Sequence, residues 1–189
     1  SFFDRVEPDP TFGKKSWEEA ESELQRQTVQ KCLDKAGREA ADVNCLFAGD
    51  LLGQIVATSF GVESFDIPFF GLYGACSTMG EAMILGAMAA GAGYADRVLA
   101  LASSHFASAE RQFRFPLNYG GVRTPTSQWT ATAAGAALVG SSGKPPFIRA
   151  ATIGKIEDMG ITDMNNMGAA MAGAAYDTLT RHMKHRGTH

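Results

Sequence analysis

Cys76 is the residue whose type and position are best suited to chemistry. It stands in Gly74-Ala75-Cys76-Ser77-Thr78, where an apolar run over 67–73 stops and a run of small residues begins. Thr78-Met79-Gly80-Glu81 has capping-box spacing, so a helix is expected to start at Thr78 or one residue earlier. That start puts Cys76 at the positive end of a helix macrodipole, among unpaired backbone N–H groups that stabilise a thiolate. Ala82, Gly86, Ala87, Ala89, Ala90 and Gly91 leave the helix almost no polar surface, and burial all round is expected of it. A thiol at the tip of such a helix, facing a strand end, is one way of presenting a nucleophile. The plainer reading is a small apolar side chain filling a gap. Cys32 and Cys45, on an amphipathic and an apolar element respectively, read as packing.

His105 follows an apolar strand and two serines, close to where ligand pockets open in α/β sheets. Its plainer role is that of a hydrogen-bonded loop histidine. Arg111, Arg114 and Arg123 share one long loop with Phe113, Phe115 and Tyr119. Guanidinium groups grip carboxylates bidentately and aromatic faces stack on planar rings. A surface or dimer-interface loop would have the same composition. His182, His185 and His189 recur about once per helical turn, a spacing that suits a metal, but Arg181, Lys184 and Arg186 around them repel a cation. They fit a helix C-terminus better. Gly91-Ala92-Gly93 ends a helix instead of opening one and is no dinucleotide fingerprint. Asp50, Asp158 and Asp163 lack the spacing of a calcium loop and read as caps or turns. No metal site and no cofactor is expected.

The elements that must position these residues alternate. Residues 1–15, broken by Pro8, Pro10 and Gly13, read as a loop. Ser16 and Glu19 form a capping box that opens a helix with Trp17, Ala20, Leu24 and Cys32 near one face, stopped by Gly37. A strand over 43–48, a helix over 51–61 and a strand over 67–73, apolar on both faces as in a covered parallel sheet, come next. The small-residue helix and a strand over 97–103 follow. Residues 105–127 are a long excursion, and loops of that length in a compact domain are often functional. Strands over about 128–140 and 147–156 precede a last helix over about 164–186, with Met167, Met171, Ala174 and Leu179 facing inward. The order implies an α/β layered domain, helices lying on both faces of a mixed, mainly parallel sheet. Residues 16–189 would form that single layered unit.

Composition bounds the rest. The 45% hydrophobic and 20% charged content of the 189 residues is that of a globular protein with one sizeable core. A net charge of −3 with scattered basic residues leaves no electrostatic footprint for nucleic acid. Three cysteines, an odd number, argue against a disulfide framework and fit a reducing compartment. No signal-peptide pattern is read, and the low-charge run from 67 meets Glu81 too early to span a bilayer. Membrane association would then come through partners.

The segment GACST at 74–78, between an apolar strand and a small-residue helix, resembles the nucleophile region of the thiolase and ketoacyl-synthase superfamily. AGDLLGQ at 48–54, SSHFASAERQFRFPLNYGG at 103–121 and IGKIEDMGITDMNNMGAAMAGAA at 153–175 narrow the resemblance to the family of stage V sporulation protein AD. The resemblance implies a thiolase-like fold of two similar halves, of which this chain is the N-terminal one. The second half, with the histidine and its partner used by condensing enzymes, is then absent from this chain, and a first strand precedes Ser1. It also implies a catalytically inactive protein that binds dipicolinic acid, a pyridine dicarboxylate, alone or as its calcium chelate. Such a protein works with membrane-embedded subunits of a spore channel complex at the cytoplasmic face or periphery of the inner spore membrane. It takes part in loading dipicolinate into the developing spore and in its release at germination. For that ligand the expected contact set is Cys76, Ser77, His105, Arg111, Arg114 and Arg123, in a homodimer. The competing readings are a condensing acyltransferase with Cys76 as nucleophile, and a structural subunit with a vestigial pocket.

Overall fold

A computed structural model describes residues 2–114, 130–163 and 166–187. The chain divides into two compact units, Ser1–Arg114 with Gln128–Gly143, and Phe115–Ser127 with Lys144–His189.

In the first unit, helix α1 (Trp17–Ala36) starts where the sequence requires. The Ser16 hydroxyl accepts from Glu19 N at 3.2 Å and the Glu19 carboxylate accepts from Ser16 N at 3.3 Å. Gly37, at φ 59°, ends it in the left-handed region, which glycine adopts without a steric penalty. The stripe it buries is Ala20, Glu21, Gln25, Val29 and Leu33. The expected face of Trp17, Leu24 and Cys32 is only its half-exposed flank, because Glu21 and Gln25 are hydrogen-bonded and so can pass inside.

Strand β1 (Cys45–Gly49) leads through a 3₁₀ turn over Gly53–Ile55 into α2 (Val56–Val62). The continuous helix expected over 51–61 is interrupted because Gln54 and Ile55 both have positive φ. Strand β2 (Phe69–Gly71), α3 (Thr78–Gly91), β3 (Arg97–Ser104) and β4 (Ala133–Gly140) complete the unit. Sheet order is β2-β1-β3-β4. β1 pairs parallel with β2 (Leu46 opposite Phe69) and with β3 (Cys45 opposite Val98). β4 runs antiparallel to β3, with Arg97 opposite Gly140.

Side chains alternate across the central strands and split the core in two. Leu46, Ala48, Leu99 and Leu101 face Val29 and Leu33 of α1 and Val62 of α2. Phe47, Val98 and Ala100 face Ala82 of α3. Helices therefore cover both faces, as the alternation of elements implies. Two expectations fail. β2 is not a covered strand: it forms the sheet edge, and Phe69 and Phe70 are 37% and 59% exposed. α3 is not buried all round but along one stripe, Thr78, Ala82, Gly86 and Ala90, because a single sheet face packs against it.

In the second unit, α4 (Met167–Arg186) is capped by the Asn166 side chain and closed by Gly187 at φ 66°. None of its residues is fully buried, and Met171 and Leu179, expected inside, are 45% and 58% exposed. Among the described residues of this unit there is no sheet for that face to cover. The strand expected over 147–156 does not form, for a related reason. A strand needs a partner for its ladder, and Phe147, Ile153 and Ile156 lie exposed on backbone that joins no ladder among the described residues.

Candidate functional site at the strand ends

The three parallel strands end at the same edge of the sheet. The chain leaves β1 toward β2 on one side and enters β3 on the other, and such a switch point opens a crevice at the carboxyl ends of strands. Three segments leave this edge, 50–55, 72–77 and 105–114. Leu72 N donates to Ala48 O at 2.7 Å, and Glu110 N donates to Leu51 O at 2.8 Å. The Tyr73 phenol stands near the Glu110 carboxylate. Partial burial, then Glu110, then the charge of Asp50 push that phenol up to about 12. At one approach the segments lie so close that glycine is required: a Cβ on Gly49 would lie 2.0 Å from Leu72 O.

Cys76 lies exposed in a 3₁₀ turn, Ala75–Ser77, directly before α3. Ala75 holds φ 49° there, a conformation that costs a non-glycine residue on the order of 1–3 kcal/mol and recurs at functional sites. Ser77 N and the Ser77 hydroxyl both donate to Gly74 O, at 3.0 and 2.8 Å. The capping box expected at Thr78 does not form. The Thr78 hydroxyl accepts instead from Gly74 N at 3.2 Å, tying the turn to the helix it precedes.

His105 is fully buried, with both ring nitrogens engaged. Nδ1 accepts from Ala107 N at 3.1 Å, so the proton sits on Nε2, which donates to Pro10 O at 2.9 Å. The ring packs against Trp17 and Phe106, with centroids 5.4 and 4.9 Å away. It pins the N-terminal loop and presents no free nitrogen to the rim. Arg111 is exposed, on the turn after Glu110, and Arg114 is half-buried, its Nε enclosed without a partner among the described residues. Arg123, with Phe115 and Tyr119, lies outside the described residues. The structure thus gathers Cys76 and Ser77 with the start of the arginine loop on one sheet edge and sets His105 apart in the core.

No group of three or more His, Cys, Asp or Glu side chains that could hold a metal occurs among the described residues. Asp50 and Asp158 act as turn residues, accepting from Leu52 N and Gly160 N, each at 2.7 Å. His182 Nδ1 is 2.9 Å from the Thr152 hydroxyl. No described helix is long and apolar enough to cross a membrane.

Sequence reading overlooked Tyr73, Glu110 and a buried polar set on α1. Glu21 is wholly buried, its oxygens bonded to the Ser103 hydroxyl (2.7 Å) and the Ser108 hydroxyl. Burial pushes its carboxyl above the ordinary range, against the two serine hydrogen bonds that lower it. The available signal was the pair Glu21 and Gln25, one turn apart and adjoining Ala20 and Leu24 on the helix surface.

Comparison with known proteins places these features. Stage V sporulation protein AD of Bacillus subtilis (strain 168) is 41% identical over 184 residues, which make up 97% of this chain and 54% of that protein. The chain therefore spans about half the length of the curated relative it matches. Among solved structures, the tetronic acid condensing enzyme AbyA1 is similar over 74% of this chain and 41% of its own, at TM-score 0.54 and 19% identity. The priming β-ketosynthase of the R1128 polyketide pathway is similar over 66% and 36%, at TM-score 0.48 and 21% identity. The likeness to AbyA1 concerns the fold, which is thiolase-like. The family model of Stage V sporulation protein AD (SpoVAD) matches residues 1–189, and the chain belongs to that family.

Proposed function

We propose that this segment contributes to a non-catalytic, dipicolinate-binding component of the spore channel complex. The protein works as a homodimer beside membrane-embedded subunits at the cytoplasmic face of the inner spore membrane. It passes dipicolinate, alone or as its calcium chelate, into the developing spore and out at germination. The observation that supports this reading most is family membership over the whole chain, joined to arginines set on the same strand-end rim as Cys76.

Dipicolinate is a dianion at neutral pH and the chain carries −3, so long-range repulsion opposes binding and local donors must supply it. Charge-assisted hydrogen bonds contribute about 1.5–3 kcal/mol each, and millimolar to micromolar affinity needs about 4–8 kcal/mol. Two or three such bonds suffice. Arg111 and Arg114, with Arg123 of the same loop, are the donors of choice; Cys76 and Ser77 lie in the turn that leaves the same strand ends, and His105 serves by pinning the N-terminal loop.

Calorimetry on the full-length protein tests this. Dipicolinate is expected to bind, benzoate with its single carboxylate is not, and Arg114→Ala is expected to weaken binding tenfold or more. Equal affinity for benzoate, or no loss in the variant, refutes the placement. Incubation with acyl-coenzyme A is expected to leave the intact mass unchanged, and a thioester at Cys76 would put a condensing reaction first.

A further inference from the structure

A continuous run of polar side chains crosses the interior beneath the strand-end rim. At its centre Gln25 Nε2 donates to the Thr58 hydroxyl at 2.9 Å and to the Ser103 hydroxyl at 2.7 Å. An amide nitrogen only donates, so both hydroxyls accept from it and must send their own hydrogens outward. Thr58 Oγ1 accordingly donates to Asp50 Oδ2 at 2.6 Å, and Ser103 Oγ to Glu21 Oε1 at 2.7 Å. Gln25 Oε1 is enclosed without a partner, so the two donor bonds alone set the orientation of the amide. The polarity of the run is thereby fixed, from one amide outward to two carboxyl groups.

Each end holds one segment of the rim. Asp50 accepts from Leu52 N and from Thr58 N, both at 2.7 Å, and so fixes the loop in which Gln54 and Ile55 have φ of 59° and 50°. Ile55 Cδ1 packs over the end of β2, 1.9 Å from where a Cβ of Gly71 would stand. At the other end Glu21 is bonded to Ser108, two residues before Glu110, whose backbone N–H meets Leu51 O.

We propose that Gln25 is a positioning residue for the strand-end site, orienting a buried run that locks the 50–55 loop and the 105–110 segment in register. The inference rests on reading that rim as the binding site. A positioning role differs from a merely structural one in what loosens. A structural defect speeds exchange of all amides in the unit together, whereas a positioning defect loosens the rim first.

The test uses full-length protein with Gln25→Met, which removes the donors, and Gln25→Glu, which reverses their polarity. In both, amide hydrogen exchange at Leu52 and Glu110 is expected to accelerate tenfold or more relative to Leu99 in the core. The exchange of the two residues, Glu21→Gln with Gln25→Glu, lets an amide at 21 donate through Ser103 to a carboxylate at 25. It is expected to bring the Glu110 amide back to within threefold of wild type, while Leu52 stays fast because a carboxylate at 25 has no hydrogen to give Thr58. Uniform acceleration of rim and core in Gln25→Met, or a double variant no better than Gln25→Glu, overturns the proposal. Dipicolinate affinity, measured in parallel, is expected to fall tenfold in Gln25→Met. If wild type takes up no dipicolinate but the exchange pattern holds, the ligand assignment fails and the role of Gln25 stands.

Discussion

Glu21→Gln tests the energetics of the interior most directly. Glu21 is wholly buried, is held by two serine hydroxyls, and belongs to none of the described ion pairs. The charged groups acting on it are Asp50, across the buried run, and Glu18 on its own helix, and both repel its anion. Burial is the largest influence and raises its proton affinity in the folded state. Unfolding then releases a proton over the pH window between the ordinary carboxyl range and the raised folded value. The stability held in the protonated form is complete below the ordinary range and is lost as pH rises through that window. The loss runs at up to about 1.4 kcal/mol per pH unit and levels off above the folded value. A glutamine at 21 has the same shape. Its oxygen can accept from Ser103, its nitrogen can donate to Ser108, and it does not titrate. Urea unfolding of wild type and Glu21→Gln at pH 4, 6 and 8 is therefore expected to give similar stabilities at pH 4. At higher pH the variant is expected to be the more stable. Other carboxyls cancel in the difference, including Glu23, which its bond to Arg26 does most to hold down at about 2. Parallel stability curves across the range would refute the reasoning.

Three further expectations rest on separate features. Gly49→Ala drives a Cβ to 2.0 Å from Leu72 O, a backbone atom that cannot move without breaking strand contacts. It is expected to cost about 3 kcal/mol or more, read as a large fall in thermal midpoint or loss of soluble protein. Ser16→Ala removes the reciprocal cap of α1 and is expected to cost about 1 kcal/mol by denaturant titration, with the slope of the transition unchanged. Iodoacetamide is expected to label Cys76 first, since it alone of the three thiols is exposed, while burial pushes the Cys32 and Cys45 thiols up; peptide mapping reads the order.

Local signals in the chain alone decided much of this protein. The Ser16 capping box and Gly37 delimit α1 because caps act within one turn of their own residues. The alternation of apolar strands with helices implies a layered α/β domain, and the segments around Cys76 and His105 carry the family. Tertiary structure decided whatever depends on a partner distant in sequence. Residues 67–73 read as a covered strand, yet β2 became the edge, because exposure depends on which strands lie beside it and not on its own composition. Residues 147–156 have the apolar content of a strand but formed none without a ladder to join. His105 has the type of a ligand contact, but Pro10 O, ninety-five residues earlier, takes its Nε2 hydrogen. Nothing in the residue types of Glu21 and Gln25 marks these two positions of α1 as interior. They became interior because Ser103, Ser108 and Thr58 came from three other parts of the chain to bond them, and a buried polar group is stable only where such partners converge.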